Sequence, residues 1–246
     1  MTEFLNKINT GSKDINLWLD GGYEKGIITL FYGPPASGKS NFVILASCTI
    51  AREKKVIFID TEGSFSIDRV KKISGNNFDS LLKNIILLKP MNFLEQKKIF
   101  LKLSRNLESK NIGLIVVDSM TMLYRLELGE AREKGLNQIK KTNLDLTKQM
   151  HKLYEIARKL NIPIIITAQV YTDFLNYENS NKKEPNINIV GGDILKYWSK
   201  CIIELKNKNG KRKAILKKHR SIKESELNFD IINEGIKKRT FFDLRF

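Results

Sequence analysis

The patterning of this chain calls for an α/β domain: a mostly parallel central sheet, helices on both faces, and a C-terminal antiparallel hairpin extension. Short apolar runs rich in β-branched residues recur at 27–32, 56–60, 112–118 and 162–169, as strands buried on both faces require. Helical periods lie between them. The first run leads into Gly33-Pro34-Pro35-Ala36-Ser37-Gly38-Lys39-Ser40, which fits G-x-x-x-x-G-K-[ST] and opens a helix at Asn41.

The 246 residues suit one domain, read as a short lead (1–11) and a single unit (12–246). Lys and Arg number 43 against 27 Asp and Glu, a formal charge of +16. That excess suits a nucleic-acid or anionic partner, or reflects a Lys-rich compositional bias. Cys48 and Cys201 are far apart in apolar segments, as expected of reduced core thiols in a cytoplasmic protein. His151 and His219 are the only histidines, too few for the usual zinc spacings. The first residues do not read as a secretory signal, and no apolar run reaches membrane-spanning length.

In chain order, residues 12–19 read as a capped helical turn with Leu17 and Leu19 inward. A helix follows the glycine loop over 41–52. Residues 66–74 are helical, 84–88 a third strand. Residues 93–107 form an amphipathic helix with Phe93, Leu94, Ile99, Phe100, Leu103 and Leu107 on its apolar side. Residues 120–135 read as a charged loop. A long helix over 135–159 carries the stripe Leu136, Ile139, Leu146, Met150, Leu153 and Leu160, interrupted by Asn143. Residues 170–190 read as a polar loop with Tyr171, Phe174 and Tyr177, either stacking on nucleic acid or an unengaged surface excursion. Gly191-Gly192-Asp193 opens a short helix. Two strands flank Asn209-Gly210, a hairpin signal, and Leu227, Phe229 and Ile231 alternate as one more strand.

The chemistry follows from the residue types. Backbone N–H groups of residues 33–41 and the helix dipole suit a phosphate group. Lys39 reaches toward β- and γ-phosphates, and Ser40 toward Mg²⁺. Leu114-Ile115-Val116-Val117-Asp118 is an apolar strand ending in an acid, which places Asp118 beside Ser40 as a carboxylate on the metal's water shell. Glu62, just past the end of the second strand, reads either as the acid that orients an attacking water or as a cap or surface acid. Gln169 ends another strand, where an amide can sense a γ-phosphate. Arg125, Arg132, Lys182, Lys183, Lys211, Arg212 and Lys213 are candidate nucleic-acid contacts, the last three in the most basic stretch of the chain.

These motifs, with Ile59-Asp60-Thr61-Glu62 and Thr167-Ala168-Gln169-Val170, stand in the order of the RecA/RadA recombinase family, which the chain resembles over roughly residues 11–236. Tyr124 to Gly129, Val190 to Lys200 and Lys218-His219-Arg220 are similar to an archaeal branch paralogous to RadA. The resemblance implies a RecA-like core using ATP and Mg²⁺. Lys39, Ser40, Asp118 and Glu62 match the phosphate, metal and water-activating positions, Arg69 an adenine-stacking arginine, and Gln169 the γ-phosphate sensor. Residues 120–135 and 171–190 match two DNA-facing loops.

The lead is expected to lack the N-terminal helical domain of RadA and its Phe-x-x-Ala link, since Phe4-Leu5-Asn6-Lys7 has no alanine. Ala168 stands where the family has asparagine. The resemblance therefore implies a weak ATPase without strand exchange that binds single-stranded and branched DNA and regulates homologous recombination and repair. The implied partners are RadA, a Holliday junction resolvase and a DNA polymerase subunit. An ATP-dependent adaptor that does not hydrolyse is the alternative. Lys218 and Arg220 are candidates for touching a neighbouring subunit's nucleotide in trans, or else belong to a DNA-contacting or solvated hairpin.

Overall fold

A computed structural model describes residues 6–103, 107, 111–172 and 187–240. The first strand, β1 (Lys7–Ile8), pairs antiparallel with β2 (Tyr23–Glu24), so the lead is stitched to the body of the domain. Between them lies α1 (Lys13–Trp18), capped by the Ser12 hydroxyl, which accepts from Ile15 N. Ile15 and Leu19, four residues apart, share its buried side. Leu17 lies on the opposite face and is 73% exposed, against the inward placement expected of it.

The core alternates β3 (Ile28–Gly33), α2 (Lys39–Ile50), β4 (Lys55–Asp60), α3 (Ile67–Ser74), α4 (Phe78–Leu82), β5 (Ile85–Leu88), α5 (Phe93–Leu103), β6 (Ile112–Asp118), α6 (Met122–Glu133), α7 (Leu136–Leu160) and β7 (Ile164–Thr172). Then follow β8 (Ile187–Ile189), α8 (Gly192–Trp198), β9 (Cys201–Lys208), β10 (Lys211–Lys218), β11 (Ser225–Ile232) and β12 (Gly235–Lys238).

Among the described residues the main sheet runs β12-β11-β10-β9-β3-β7-β6-β4-β5, with β8 added antiparallel to the far end of β7. From β9 through β5 every pairing is parallel. From β9 to β12 the strands are antiparallel. Asn209 (φ 52°) and Gly210 (φ 79°) turn β9 into β10 through two left-handed residues, as an Asn-Gly hairpin demands.

Side chains alternate between two cores, as the strand period of two requires. Phe31, Val56, Phe58, Leu114, Val116 and Ile165 face one side, packed against Phe42, Leu45 and Val70. Ile28, Leu30, Ile57, Ile59, Ile115, Val117, Ile164 and Ile166 face the other, against Phe100, Leu146, Met150 and Leu153. Both cysteines are free and buried, and no helix among the described residues is long and apolar enough to cross a membrane.

Several expectations are corrected. Residues 122–133 are helical rather than loop. Leu123, Tyr124 and Ala131 make a buried stripe on α6, and Tyr124 donates its hydroxyl to Asn143 Oδ1 at 2.7 Å. Asn143, the interruption in the α7 stripe, is thus the polar partner of a buried ring. Leu94 and Leu136 are exposed, because the apolar faces of α5 and α7 centre on Phe93/Phe100 and Leu146/Met150/Leu153. Residues 170–172 continue β7, and residues 173–186, with Lys182, Lys183, Phe174 and Tyr177, lie outside the described residues. The sequence reading missed β12; it is short and Lys-rich, and it is held by Lys238 N donating to Asp14 Oδ2 at 2.7 Å.

Leu146 is 0% exposed. Leu146→Ala should cost about 2–5 kcal/mol in urea denaturation. Leu17→Ala should stay within about 0.5 kcal/mol of the parent.

Candidate nucleotide-binding site

The carboxyl ends of β3, β4, β6 and β7 meet at one edge of the sheet, where open parallel sheets bind ligands. The loop 33–38 leaves β3 there. Gly33 has no room for a side chain, since a Cβ would lie 2.2 Å from Leu205 O. Ala36 (φ 59°) and Gly38 (φ 107°) take left-handed angles, and Gly38 caps α2 without a side chain in the way. Pro34, Pro35, Ser37, Ser40 and Asn41 complete the cradle. Ser37 is fully buried, and its Oγ has no hydrogen-bond partner among the described residues.

Lys39 is buried, and its Nζ donates to Gly33 O and Pro34 O, both at 2.9 Å. Burial lowers its pKa, while the charges of Glu62 and Asp118 oppose the shift. Asp118 accepts from Thr167 Oγ1 through Oδ1 at 2.6 Å and from Ser64 Oγ through Oδ2. Thr167 Oγ1 in turn accepts from Ser119 N at 2.7 Å. Asp60 fastens the following loop: its carboxylate accepts from Ser64 N at 2.9 Å and Phe65 N at 3.0 Å. Thr61 Oγ1 donates to Asp118 O at 3.0 Å and Ser119 O at 2.7 Å. Glu62 is thereby held at the strand ends, and Gln169 Nε2 donates to its Oε1 at 2.6 Å.

The fold therefore brings Lys39, Glu62, Asp118 and Gln169 together. The donor set fits a nucleotide polyphosphate and its magnesium: a cradle closed to side chains, a buried ammonium, an unpartnered buried hydroxyl, and a carboxylate already oriented by two hydroxyls. Asp60, Ser64 and Thr167 are the positioning residues that sequence reading missed. Asp60 ends β4, Ser64 lies in the loop beyond it and Thr167 lies within β7, and a one-dimensional pattern gives no sign that Ser64 and Thr167 meet at Asp118.

Arg69 lies on α3 and donates to Ile232 O (2.7 Å), Asn233 O (3.1 Å) and Gly235 O (2.8 Å), clamping the β11–β12 turn. Lys218 Nζ donates to Ser199 O at 2.9 Å and Lys196 O at 3.2 Å, at the end of α8. Arg220 pairs with the buried carboxylate of Glu24. Burial pushes the pKa of the neighbouring His219 down, and its Nδ1 accepts from Ser221 N and Ile222 N, both at 3.2 Å. Lys218 and Arg220 are thus both engaged within their own chain.

Arg125 and Arg132 project from α6 and line a groove of about 350 Å³ with Leu128, Tyr171 and Gly191. On the hairpin, Lys213 pairs with Glu226 at 2.6 Å, whereas Lys211 has no ion pair among the described residues. Arg212 lies against the phosphate loop, its Nε donating to Ala36 O at 3.4 Å.

Residues 2–239 match the Rad51 family. The chain belongs to it. Relatives within this family include the DNA repair and recombination protein RadB of Methanocaldococcus jannaschii, 42% identical over 88% of this chain and 95% of the relative. The RadB of Methanobrevibacter smithii is 40% identical over 94% of this chain and 95% of the relative. That of Methanothermobacter thermautotrophicus is 38% identical over 89% and 90%. The chain's place is thus in the archaeal RadB branch of the Rad51 family, and its RecA-like core is the fold described above.

Thr167→Val keeps the side-chain shape but removes the hydroxyl between Asp118 and Ser119 N. It should destabilise the domain by about 1–3 kcal/mol in chemical denaturation.

Proposed function

We propose that this chain is an ATP- and DNA-binding accessory protein of homologous recombination and DNA repair, with slow Mg²⁺-dependent ATP hydrolysis of its own. The observation that carries the reading is the convergence of Lys39, Glu62, Asp118 and Gln169 at the mouth of a phosphate cradle. The names of its relatives supply the biological setting.

In this reading the backbone N–H groups of residues 33–41 and the Lys39 ammonium hold the phosphates. Ser40 and the pre-oriented Asp118 carboxylate hold the metal, directly and through its waters. Magnesium, when bound, would neutralise phosphate charge. Glu62 orients the attacking water and accepts its proton. The Gln169 amide occupies one Glu62 oxygen, so its shift toward a γ-phosphate would free that oxygen. This contact favours slow turnover, and intact Lys39, Glu62 and Asp118 favour hydrolysis over a purely structural use of ATP. Arg69, beside the β11–β12 turn, is the candidate for the adenine face.

Arg125, Arg132 and the hairpin lysines are the proposed DNA contacts. RadA, a junction resolvase and a polymerase subunit remain proposed partners. A role in trans for Lys218 and Arg220 would require an assembly in which they give up Ser199 and Glu24.

Wild type and Glu62→Gln, assayed with and without single-stranded DNA, test the reading. Turnover should be slow, little changed by DNA, and reduced by about 100-fold or more in the variant. Equal turnover in both proteins would remove Glu62 from its role. Absence of turnover with ATP still bound would favour the adaptor. DNA affinity should also fall steeply as salt rises.

A further inference from the structure

We propose that the basic hairpin β9–β10 and the phosphate loop are mechanically one unit. A phosphodiester backbone held by the hairpin and a nucleotide held by the loop then strengthen each other's binding through the carbonyl of Ala36. The proposal rests on the function proposed above and adds the residue that links its two ligands.

The backbone sets up the contact. Strands β3 and β9 pair in parallel up to Tyr32 and Glu204. Past that point β3 turns off into the phosphate loop, while β9 runs on to Lys208. The hairpin is therefore laid along the loop, with Leu205 O against Gly33.

Two side chains of the hairpin then reach across. Asn207 Nδ2 donates to Ala36 O at 3.1 Å, and Arg212 Nε donates to the same oxygen at 3.4 Å. Ala36 is the non-glycine residue of the loop in a left-handed conformation, which costs about 1–2 kcal/mol without support. The peptide plane that carries Ala36 O also carries the N–H of Ser37, which closes the loop onto Pro34 O at 3.3 Å. Whatever turns this peptide reshapes the cradle.

Lys208 pairs with Lys211 across the hairpin tip, one register step from the Asn207–Arg212 pair that faces the loop. Lys208 and Lys211 at the hairpin tip have no ion pair among the described residues. Arg212 spends only Nε on the loop, and its terminal nitrogens have no hydrogen bond among the described residues. They are placed to take a phosphate oxygen. A backbone phosphate drawn to Arg212 would bear directly on the group that holds Ala36. Linkage makes the effect reciprocal: a nucleotide that fixes the loop fixes the hairpin by the same factor.

Asn207 allows a clean test. Its Oδ1 accepts from Gly210 N at 3.0 Å and caps the hairpin turn, while its Nδ2 serves Ala36. Asn207→Asp keeps the acceptor for Gly210 and loses the donor to Ala36. Lys208→Asn removes the same unit of charge from the hairpin without touching the loop.

The readout is the affinity of a fluorescent single-stranded oligonucleotide with and without a magnesium-bound, non-hydrolysable ATP analogue. Wild type should bind DNA about five-fold more tightly, or better, when nucleotide is present. In Asn207→Asp that ratio should fall to near one. In Lys208→Asn, DNA binding should weaken while the ratio stays at its wild-type value. The proposal is overturned if Asn207→Asp keeps the wild-type ratio, if Lys208→Asn loses it equally, or if wild type binds both ligands independently. Failure of wild type to bind either ligand would instead overturn the function proposed above.

Discussion

A lysine ammonium buried at the edge of the sheet sets the terms for everything around it. Lys39 is withdrawn from water, which disfavours its charge; its Nζ donates to two loop carbonyls, and the field of Glu62 and Asp118 works in favour of the charge. A buried cation of this kind is tolerated only where acceptors and opposite charges are fixed in advance. The loop, the two acids and the strands that present them are therefore a single electrostatic arrangement. No single group in it can be relocated without exposing another to an uncompensated charge.

The fixing is done by short polar side chains at and just past the end of β4 and within β7. Asp60 ties down the turn that carries Glu62 by accepting from Ser64 N and Phe65 N. Thr61 and Thr167 secure the segment at Asp118 and Ser119, where Ser119 sits at φ 66°, a conformation that needs such support. The result is a carboxylate, Asp118, oriented by the hydroxyls of Ser64 and Thr167. Glu62, by contrast, has one oxygen on an amide from a different strand, Gln169.

Much of this was legible in the sequence because the informative features are local. The glycine loop between an apolar strand and a helix, the acid closing the β6 run, and Asn209-Gly210 each depend on a few adjacent residues. What escaped was set by contacts distant along the chain. Residues 122–133 looked like a charged loop because the stripe of Leu123, Tyr124 and Ala131 is sparse, and its worth shows only against Phe93 and Asn143. Arg212 read as a free basic residue, although it lies on Ala36, 176 residues earlier. Lys218 and Arg220 likewise read as free charges, whereas Ser199 and Glu24 hold them. Charge can be counted from a sequence, but whether a charge is already spoken for depends on the fold.

The arrangement around Lys39 is open to direct calorimetry. Titrating magnesium-bound ATP analogue into wild type and Lys39→Ala, with the fold of each checked by circular dichroism, separates a nucleotide site from a merely structural ion cluster. Wild type should bind one nucleotide per chain, and the variant about ten-fold more weakly or worse while remaining folded. Equal affinity in the two proteins would mean that this buried ammonium does not hold phosphate, and that the residues gathered around it serve the fold alone.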